Sequence, residues 1–272
     1  MAPVFFKDNK GNFGDEINKI IFKELPSALN KRVIGIGTIL GSEISNNKKL
    51  IVFGSGVRNP LDIKLENLDV RFVRGPLSSS VCNGAKFISD PAYLLNIFLK
   101  NIDQSHKKYN LSLIPHYSTI NNAFWLTICR LLKINFIDPT QPVKEVVQEI
   151  VYSKKTICGA MHAAIISDLY NTPWIRLRMN LSMSETPFIS EFKWLDWLGS
   201  IDRTNFYINI GLESKRISGF KGLLYKSLTS LEILTRLISQ KKSNNYQLSN
   251  EQKKRKIIKR LIKEYEKLKR EK

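Results

Sequence analysis

The order of apolar and polar positions along the chain alternates between short apolar runs and segments with helical spacing. Apolar runs that end in glycine, at residues 33–37 and 50–56, are typical of buried parallel strands. Residues 16–25, which precede them, carry apolar side chains every three or four positions, which predicts an amphipathic helix. Strands that alternate with helices indicate βαβ units. The pattern therefore predicts an α/β fold with a mostly parallel sheet.

A polar segment without periodicity, residues 101–108, interrupts this alternation. The alternation restarts beyond it, with strands predicted at 111–115 and 134–137. The sequence thus predicts two Rossmann-like domains that face each other across a cleft, followed by a basic helical extension. The predicted boundaries of these three units are 1–105, 106–210 and 211–272.

The most informative unit is a strand, turn, helix and strand predicted over residues 156–177. Its first strand is interrupted by Gly159, and the helix that follows begins near Met161. His162 falls in the first helical turn, where free backbone N–H groups favour an anion. Two interpretations are open at this point: His162 faces a bound anion, or it is a packed histidine in an ordinary crossover.

Composition is that of a globular protein, with 272 residues of which 43% are hydrophobic. The N-terminus lacks the features of a signal peptide, and no apolar stretch approaches the roughly 20 residues that span a bilayer. The three cysteines lack the spacing of a metal site, which suggests reduced thiols. A cytoplasmic location is therefore expected.

Positive charge is concentrated at the C-terminal end. Of the net charge of +19, residues 211–272 contribute 18 Lys and Arg less 6 Asp and Glu, which is +12. Residues 251–272 predict a basic amphipathic helix, whose apolar stripe runs from Ile257 to Leu268. Such a helix either binds an anionic membrane surface or docks on its own protein. The first interpretation predicts a peripheral membrane enzyme.

Polar side chains follow four of the predicted strands, which is where α/β enzymes place catalytic groups. Each has a structural explanation when taken alone. Asn12 and Asp15 are suited to cap a helix, Arg74 to form a surface ion pair, and His116 to pack in a loop. The four turns are 12–18, 74–76, 114–117 and 159–162.

Taken in order, these turns resemble the polysaccharide pyruvyl transferase family, in particular its succinoglycan-type branch. The resemblance covers roughly residues 3–200. One departure stands out, because Ala160 occupies a position that is arginine in many members. The matching positions are Asn12, Gly14 and Asp15; Arg74 and Gly75; Pro115, His116 and Tyr117; and His162 and Pro173.

The resemblance implies a fold like that of the GT-B glycosyltransferases and the transfer of pyruvyl from phosphoenolpyruvate to two hydroxyls of a sugar. The sugar would belong to a surface or capsular polysaccharide precursor, either lipid-linked or free. No metal or cofactor is implied. By this resemblance His162, His116 and Asp15 are the expected catalytic residues. The expected donor site is Arg74, Gly159, Ala160 and Met161, and the expected acceptor contacts are Asn12 and Asn18.

Two other functions remain open on the sequence. A glycosyltransferase that uses a nucleotide sugar would share the fold, and phosphate release from phosphoenolpyruvate distinguishes the two reactions. The high charge also suggests nucleic-acid binding. That partner is disfavoured, because the charge lies in the tail rather than along a groove with interleaved aromatic residues.

Overall fold

The computed structural model describes residues 3–5, 11–25, 32–42, 50–119, 122–179, 186–210 and 219–271. Two parts of the predicted C-terminal extension, residues 211–218 and Lys272, therefore lie outside the described residues. The described helices are α1 (Phe13–Ile21), α2 (Pro76–Val81), α3 (Leu95–Phe98), α4 (Asn122–Leu132), α5 (Val143–Val151), α6 (Met161–Leu169), α7 (Pro187–Ser200), α8 (Gly219–Lys242) and α9 (Glu251–Arg270).

The described strands form three sheets, and every pair of strands within them is parallel. The α/β fold predicted from the alternation is confirmed. In the first half the sheets have the orders β1-β3-β5 and β2-β4, and in the second half a five-stranded sheet has the order β10-β9-β8-β6-β7. The strands are β1 (Arg32–Ile34), β2 (Thr38–Leu40), β3 (Leu50–Phe53), β4 (Gly56–Val57), β5 (Leu68–Phe72), β6 (Ser112–Ile114), β7 (Asn135–Phe136), β8 (Thr156–Cys158), β9 (Trp174–Met179) and β10 (Tyr207–Ile210).

Helices cover both faces of the five-stranded sheet. The two faces can be told apart, because successive side chains of a strand point to opposite sides. Ile114 and Cys158 belong to an apolar cluster with helices α5 and α6. Leu113 and Ile157 belong to a second cluster, which includes apolar side chains of α4 and α8. The strands are accordingly buried on both sides, as their continuous apolar sequences predicted.

The larger cluster continues into the first half of the chain. It joins Ile17 of α1 and Phe53 of β3 to Val147 of α5 and Ile165 of α6. The segment predicted as a linker is also packed: Gln148 of α5 exchanges two hydrogen bonds with the backbone of Asp103. The two halves therefore share one apolar cluster, and the domain boundaries stay a prediction.

Helix α9 packs its apolar stripe against the protein. Ile257, Leu261, Tyr265 and Leu268 are buried in the larger cluster, and the Tyr265 hydroxyl donates to the backbone oxygen of Ile21 (2.8 Å). The interpretation of this helix as docked on its own protein is confirmed. The expectation that the same stripe inserts into a membrane interface is wrong, because the core already covers it.

Within the described part of the chain, no helix is long and apolar enough to cross a bilayer.

Candidate functional site

The strand order of the five-stranded sheet creates a crevice at its centre. The chain runs from β6 outwards to β7, then returns to β8 on the other side of β6. Ligands of open α/β sheets bind at such a switch point, beyond the carboxyl ends of the two central strands. His116 follows β6, and the turn of Gly159, Ala160 and Met161 follows β8. Topology therefore brings these predicted residues to one edge of the sheet.

The turn after β8 is closely packed. Helix α6 begins at Met161, and its N-cap residue Ala160 provides no side-chain hydrogen bond. Backbone N–H groups in the first turn of a helix lack partners within the helix, so this end favours an acceptor or an anion. A β-carbon at Gly159 would lie 2.8 Å from the backbone nitrogen of His116, so a side chain at Gly159 would displace its neighbour. Glycine thus allows the ends of β6 and β8 to approach.

His162 faces a buried carboxylate. Its Nε2 atom lies 3.7 Å from Oδ2 of Asp90, and both atoms are buried without a hydrogen-bond partner among the described residues. The other carboxylate oxygen of Asp90 accepts from the backbone of Ala92 (3.0 Å) at the start of a 3₁₀ turn, Pro91–Leu94. This geometry links His162 to the first half of the chain. Asp90 was missed as a site residue, because an Asp before Pro signals only a helix start.

The turn at the start of α1 lies against the same histidine. A β-carbon at Gly14 would be 2.2 Å from Nδ1 of His162, so only glycine fits there. Beside it, Asn12 caps α1 by accepting from the backbone of Gly14 (3.2 Å), and its Nδ2 donates to Asp15 Oδ2 (2.7 Å). The structure thus places the turn that carries Asn12 and Asp15 against His162 through Gly14, and the catalytic and acceptor roles of these residues stay predictions.

Asn18 lies deeper in the same helix and is fully buried. Its amide donates to the backbone oxygens of Asp15 and Ile36 (both 2.9 Å) and accepts from the backbone nitrogen of Ile36 (2.9 Å). These bonds tie α1 to the loop after β1. They favour a structural role for Asn18 over the predicted acceptor contact, which stays a prediction.

Arg74 is enclosed at the end of β5. Its Nε donates to Asp196 of α7 (3.2 Å), one terminal nitrogen donates to Thr38 (3.0 Å), and the other has no partner among the described residues. A β-carbon at Gly56 would lie 2.1 Å from that last nitrogen. The surface ion pair considered for Arg74 is wrong, because both charged groups are fully buried. Its donor-binding role stays a prediction.

A second group of cations lines a cleft between the carboxyl ends of the central strands and α7. Its walls include His116, Gly159, Arg176, Arg178 and Lys193. The side chain of His116 is held by a hydrogen bond between Nδ1 and the Ser118 hydroxyl (2.8 Å). The sequence predicted no role for the last three of these residues, because Arg176 and Arg178 lie within a strand and Lys193 lies on α7, which was not predicted.

Electrostatics in the cleft are dominated by the two arginines of β9. Burial lowers the pKa of Arg176, although its hydrogen bonds to Glu191 oppose the shift. Burial alone would raise the pKa of Glu191, but the hydrogen bonds and charge of Arg176 and the charge of Arg178 outweigh it and hold that pKa below its usual value. Glu191 is therefore ionised and paired at neutral pH.

The three cysteines are unsuited to nucleophilic chemistry. All three thiols are buried, and burial raises the pKa of Cys82 to about 11 and those of Cys129 and Cys158 to about 12. Such thiols are poor nucleophiles. In the ranges that the structure describes, no group of three His, Cys, Asp or Glu residues is arranged to hold a metal ion.

Comparisons with known proteins agree with the motif resemblance. The model of the polysaccharide pyruvyl transferase family matches residues 11–180. The chain is also 30% identical, over 219 residues, to the succinoglycan biosynthesis protein ExoV of Rhizobium meliloti (strain 1021). That match covers 75% of this chain and 66% of the relative, so the chain spans about two thirds of the relative's length. The chain belongs to the polysaccharide pyruvyl transferase family.

Proposed function

We propose that the protein is a ketal pyruvyl transferase, which moves pyruvyl from phosphoenolpyruvate to two hydroxyls of a sugar in an exopolysaccharide precursor. Family membership supports the reaction class. The observation that carries the proposal is the pairing of His162 with Asp90 at the switch-point edge of the sheet. A histidine beside a carboxylate is a side-chain pair that general acid–base catalysis commonly uses.

The reaction adds one proton to carbon, removes one proton from each of two sugar hydroxyls and expels phosphate. A proton is added to the methylene carbon of phosphoenolpyruvate, which makes C2 electrophilic, and one sugar hydroxyl attacks C2 and loses its proton. The C2–O bond to phosphate then breaks, and the second hydroxyl attacks C2 and loses its proton in turn. One hydroxyl proton is thus balanced by the proton added to carbon, and the other leaves with phosphate. General acid–base catalysis by a placed side chain typically contributes about 10²–10⁴-fold to such steps.

We assign to His162 the delivery of a proton to the methylene carbon. Asp90 is the residue that positions His162. Asp15 is the base for the sugar hydroxyl, and its bond from the Asn12 amide orients it. The N-terminal turn of α6 offers N–H groups to the donor, and Gly159, Ala160 and Met161 supply this turn. Their side chains add no charge, so the cations of the donor site must come from elsewhere.

The experiment that tests the proposal uses the full chain with phosphoenolpyruvate and candidate glycans, both lipid-linked and free. It measures phosphate release and the mass increment of a pyruvyl ketal on the glycan. His162→Gln should lower kcat by about 10² or more. The matched control is His106→Gln, since His106 also lies 3.7 Å from an aspartate but on the surface.

Asp90→Asn separates positioning from binding. We expect kcat to fall and its pH profile to change, while KM stays within about threefold, because an interaction lost only in the transition state lowers kcat. Two outcomes would contradict the proposal. One is turnover of a nucleotide sugar with no use of phosphoenolpyruvate, and the other is an unchanged kcat in His162→Gln.

We infer that the two groups of sheets correspond to two Rossmann-like units in a GT-B-like arrangement, with the reaction between them. The support is the all-parallel pairing in each half and the contact of Gly14 with His162 across the two halves. A structure with a bound donor analogue would test this, since it should touch residues of both halves.

Peripheral attachment to the inner face of the membrane, where a lipid-linked acceptor is presented, is also part of the proposal. It would use charge alone. Four exposed cations, each without a charged partner in the described structure, lie on α9 opposite its buried stripe: Lys256, Lys259, Lys263 and Arg270. Each cation near an anionic leaflet adds about 1 kcal/mol. Changing all four to Gln should abolish binding to anionic vesicles; binding equal to wild type would contradict the attachment.

A further inference from the structure

We propose that Tyr93 and Asp168 form a positioning pair, which holds the Asp90 carboxylate at its distance from His162. The inference deepens the proposed function and rests on it, since it concerns the histidine to which that function assigns proton transfer. Neither Tyr93 nor Asp168 belongs to the four motif turns, and neither takes part in the proposed reaction. Both side chains are fully buried.

The contact between His162 and Asp90 does not fix its own geometry. The distance of 3.7 Å between Nε2 and Oδ2 is longer than a hydrogen bond, and neither atom has a hydrogen-bond partner among the described residues. The spacing therefore depends on contacts between the two elements that carry these side chains. The elements are helix α6 and the 3₁₀ turn Pro91–Leu94, which Asp90 caps.

Tyr93 and Asp168 supply such a contact. The Tyr93 hydroxyl donates to Oδ2 of Asp168 over 2.7 Å, and bonds to a carboxylate are among the stronger hydrogen bonds of proteins. Tyr93 follows Asp90 by three residues, which is one 3₁₀ turn, and its backbone nitrogen donates to the backbone oxygen of Asp90 (3.2 Å). Asp168 lies on the same helix as His162, roughly 9 Å further along the helix axis. The bond thus ties the turn of Asp90 to the helix of His162.

The carboxylate of Asp168 is itself held in place. Ser249 donates to it twice, from its backbone nitrogen to Oδ1 and from its hydroxyl to Oδ2 (both 2.6 Å), and the Trp174 indole donates to Oδ1 (3.4 Å). Lys254, only 3% exposed, donates to the backbone oxygen of Asp168 (2.6 Å). Ser249 and Lys254 lie beyond the residues that the family model matches. Asp168 therefore has two separable partners: Tyr93, which leads to the catalytic pair, and Ser249, which anchors the C-terminal extension.

Two variants that each remove one hydroxyl from the same oxygen of Asp168 test the proposal. They are Tyr93→Phe and Ser249→Ala, both made in the full chain. We expect Tyr93→Phe to lower kcat about tenfold or more and to leave KM within about threefold, because a displaced proton donor slows the chemical step. Ser249→Ala should keep both constants at their wild-type values. Asp168 keeps three donors in Tyr93→Phe, so its carboxylate is not left unpaired and the variant should fold.

Nuclear magnetic resonance of the histidine rings gives a readout that needs no turnover. The chain has three histidines, so selective labelling and variants that replace each of them by Gln assign every signal. Tyr93→Phe should shift the His162 signal and leave the His106 signal in place, whereas Ser249→Ala should shift neither. If Tyr93→Phe does not fold, Asp168→Asn, which keeps the side-chain volume, replaces it in both measurements.

An unchanged kcat or an unmoved His162 signal in Tyr93→Phe overturns the proposal. Equal effects of Tyr93→Phe and Ser249→Ala overturn it as well, because Asp168 would then act only on stability. If the wild-type chain transfers no pyruvyl but Tyr93→Phe alone shifts the His162 signal, the proposed function is refuted while the tie between Tyr93 and His162 stands.

Discussion

Arg74 offers the clearest contrast between the family resemblance and the structure. The resemblance predicts that removing this side chain abolishes pyruvyl transfer in a protein that stays folded. In the structure both Arg74 and its partner Asp196 are fully buried, 3.2 Å apart, and the pair joins the end of β5 to α7. We therefore expect Arg74→Met to act first on stability.

The magnitude follows from the contacts. Removing one partner of a buried ion pair typically costs about 3–5 kcal/mol. Asp196 would keep two hydrogen bonds from Ser78, through its backbone nitrogen (2.8 Å) and its hydroxyl (2.7 Å). Methionine also fills most of the vacated space. The expected loss is therefore at the lower end, about 3 kcal/mol, which lowers Tm by about 6–12 °C in a chain of this size.

The assay compares urea unfolding of Arg74→Met with that of Arg71→Met. Arg71 lies on β5, three residues before Arg74, and pairs with Glu271, but its side chain is 31% exposed, so its loss should cost less than about 1 kcal/mol. Affinity for phosphoenolpyruvate is measured on the folded fraction. The reasoning is refuted if Arg74→Met has a free energy of unfolding within about 1 kcal/mol of wild type but no longer binds the donor. Arg74 would then be a donor ligand.

Three further outcomes are expected. Gly14→Ala should lower kcat about tenfold or more, measured by phosphate release, because the new methyl group displaces the His162 ring. Leu261→Ala should lower the free energy of unfolding by about 2–5 kcal/mol, whereas the exposed Ile262→Ala should change it by less than about 1 kcal/mol. The three raised thiol pKa values remain above ambient pH, so Ellman's reagent at pH 8 should label no cysteine until urea unfolds the chain.

The elements with a clear period were predictable from the sequence. The amphipathic helix predicted at residues 16–25 is observed as α1 at Phe13–Ile21, because its apolar side chains lie on one face. Helix α7 escaped prediction for a physical reason. Trp194 and Trp197 are buried, yet Phe188 is exposed and Asp196 is buried against Arg74, so its apolar positions do not form a single stripe.

The residues of the candidate site were predictable where they lie in a turn that follows a strand. They were not predictable where the side chain belongs to a distant part of the chain. His162, His116 and Asp15 were found because each follows a strand in the alternating pattern. Asp90 and Lys193 were missed, since nothing in a sequence marks a carboxylate or an ammonium group as buried. The partner of Asp90, His162, comes from a distant position, and only the packing of helices on the sheet brings the two together.

Helix α9 shows how burial changes the meaning of a sequence pattern. Its stripe and its charge together are typical of a helix that lies in a membrane interface. The structure separates the two features, because the stripe joins the core while the cations of this helix, except the buried Lys254, stay at the surface. Any attraction to a membrane is then purely electrostatic and must weaken steeply with salt. Deleting the helix would expose the core, so neutralising its outer cations is the change that tests attachment without testing folding.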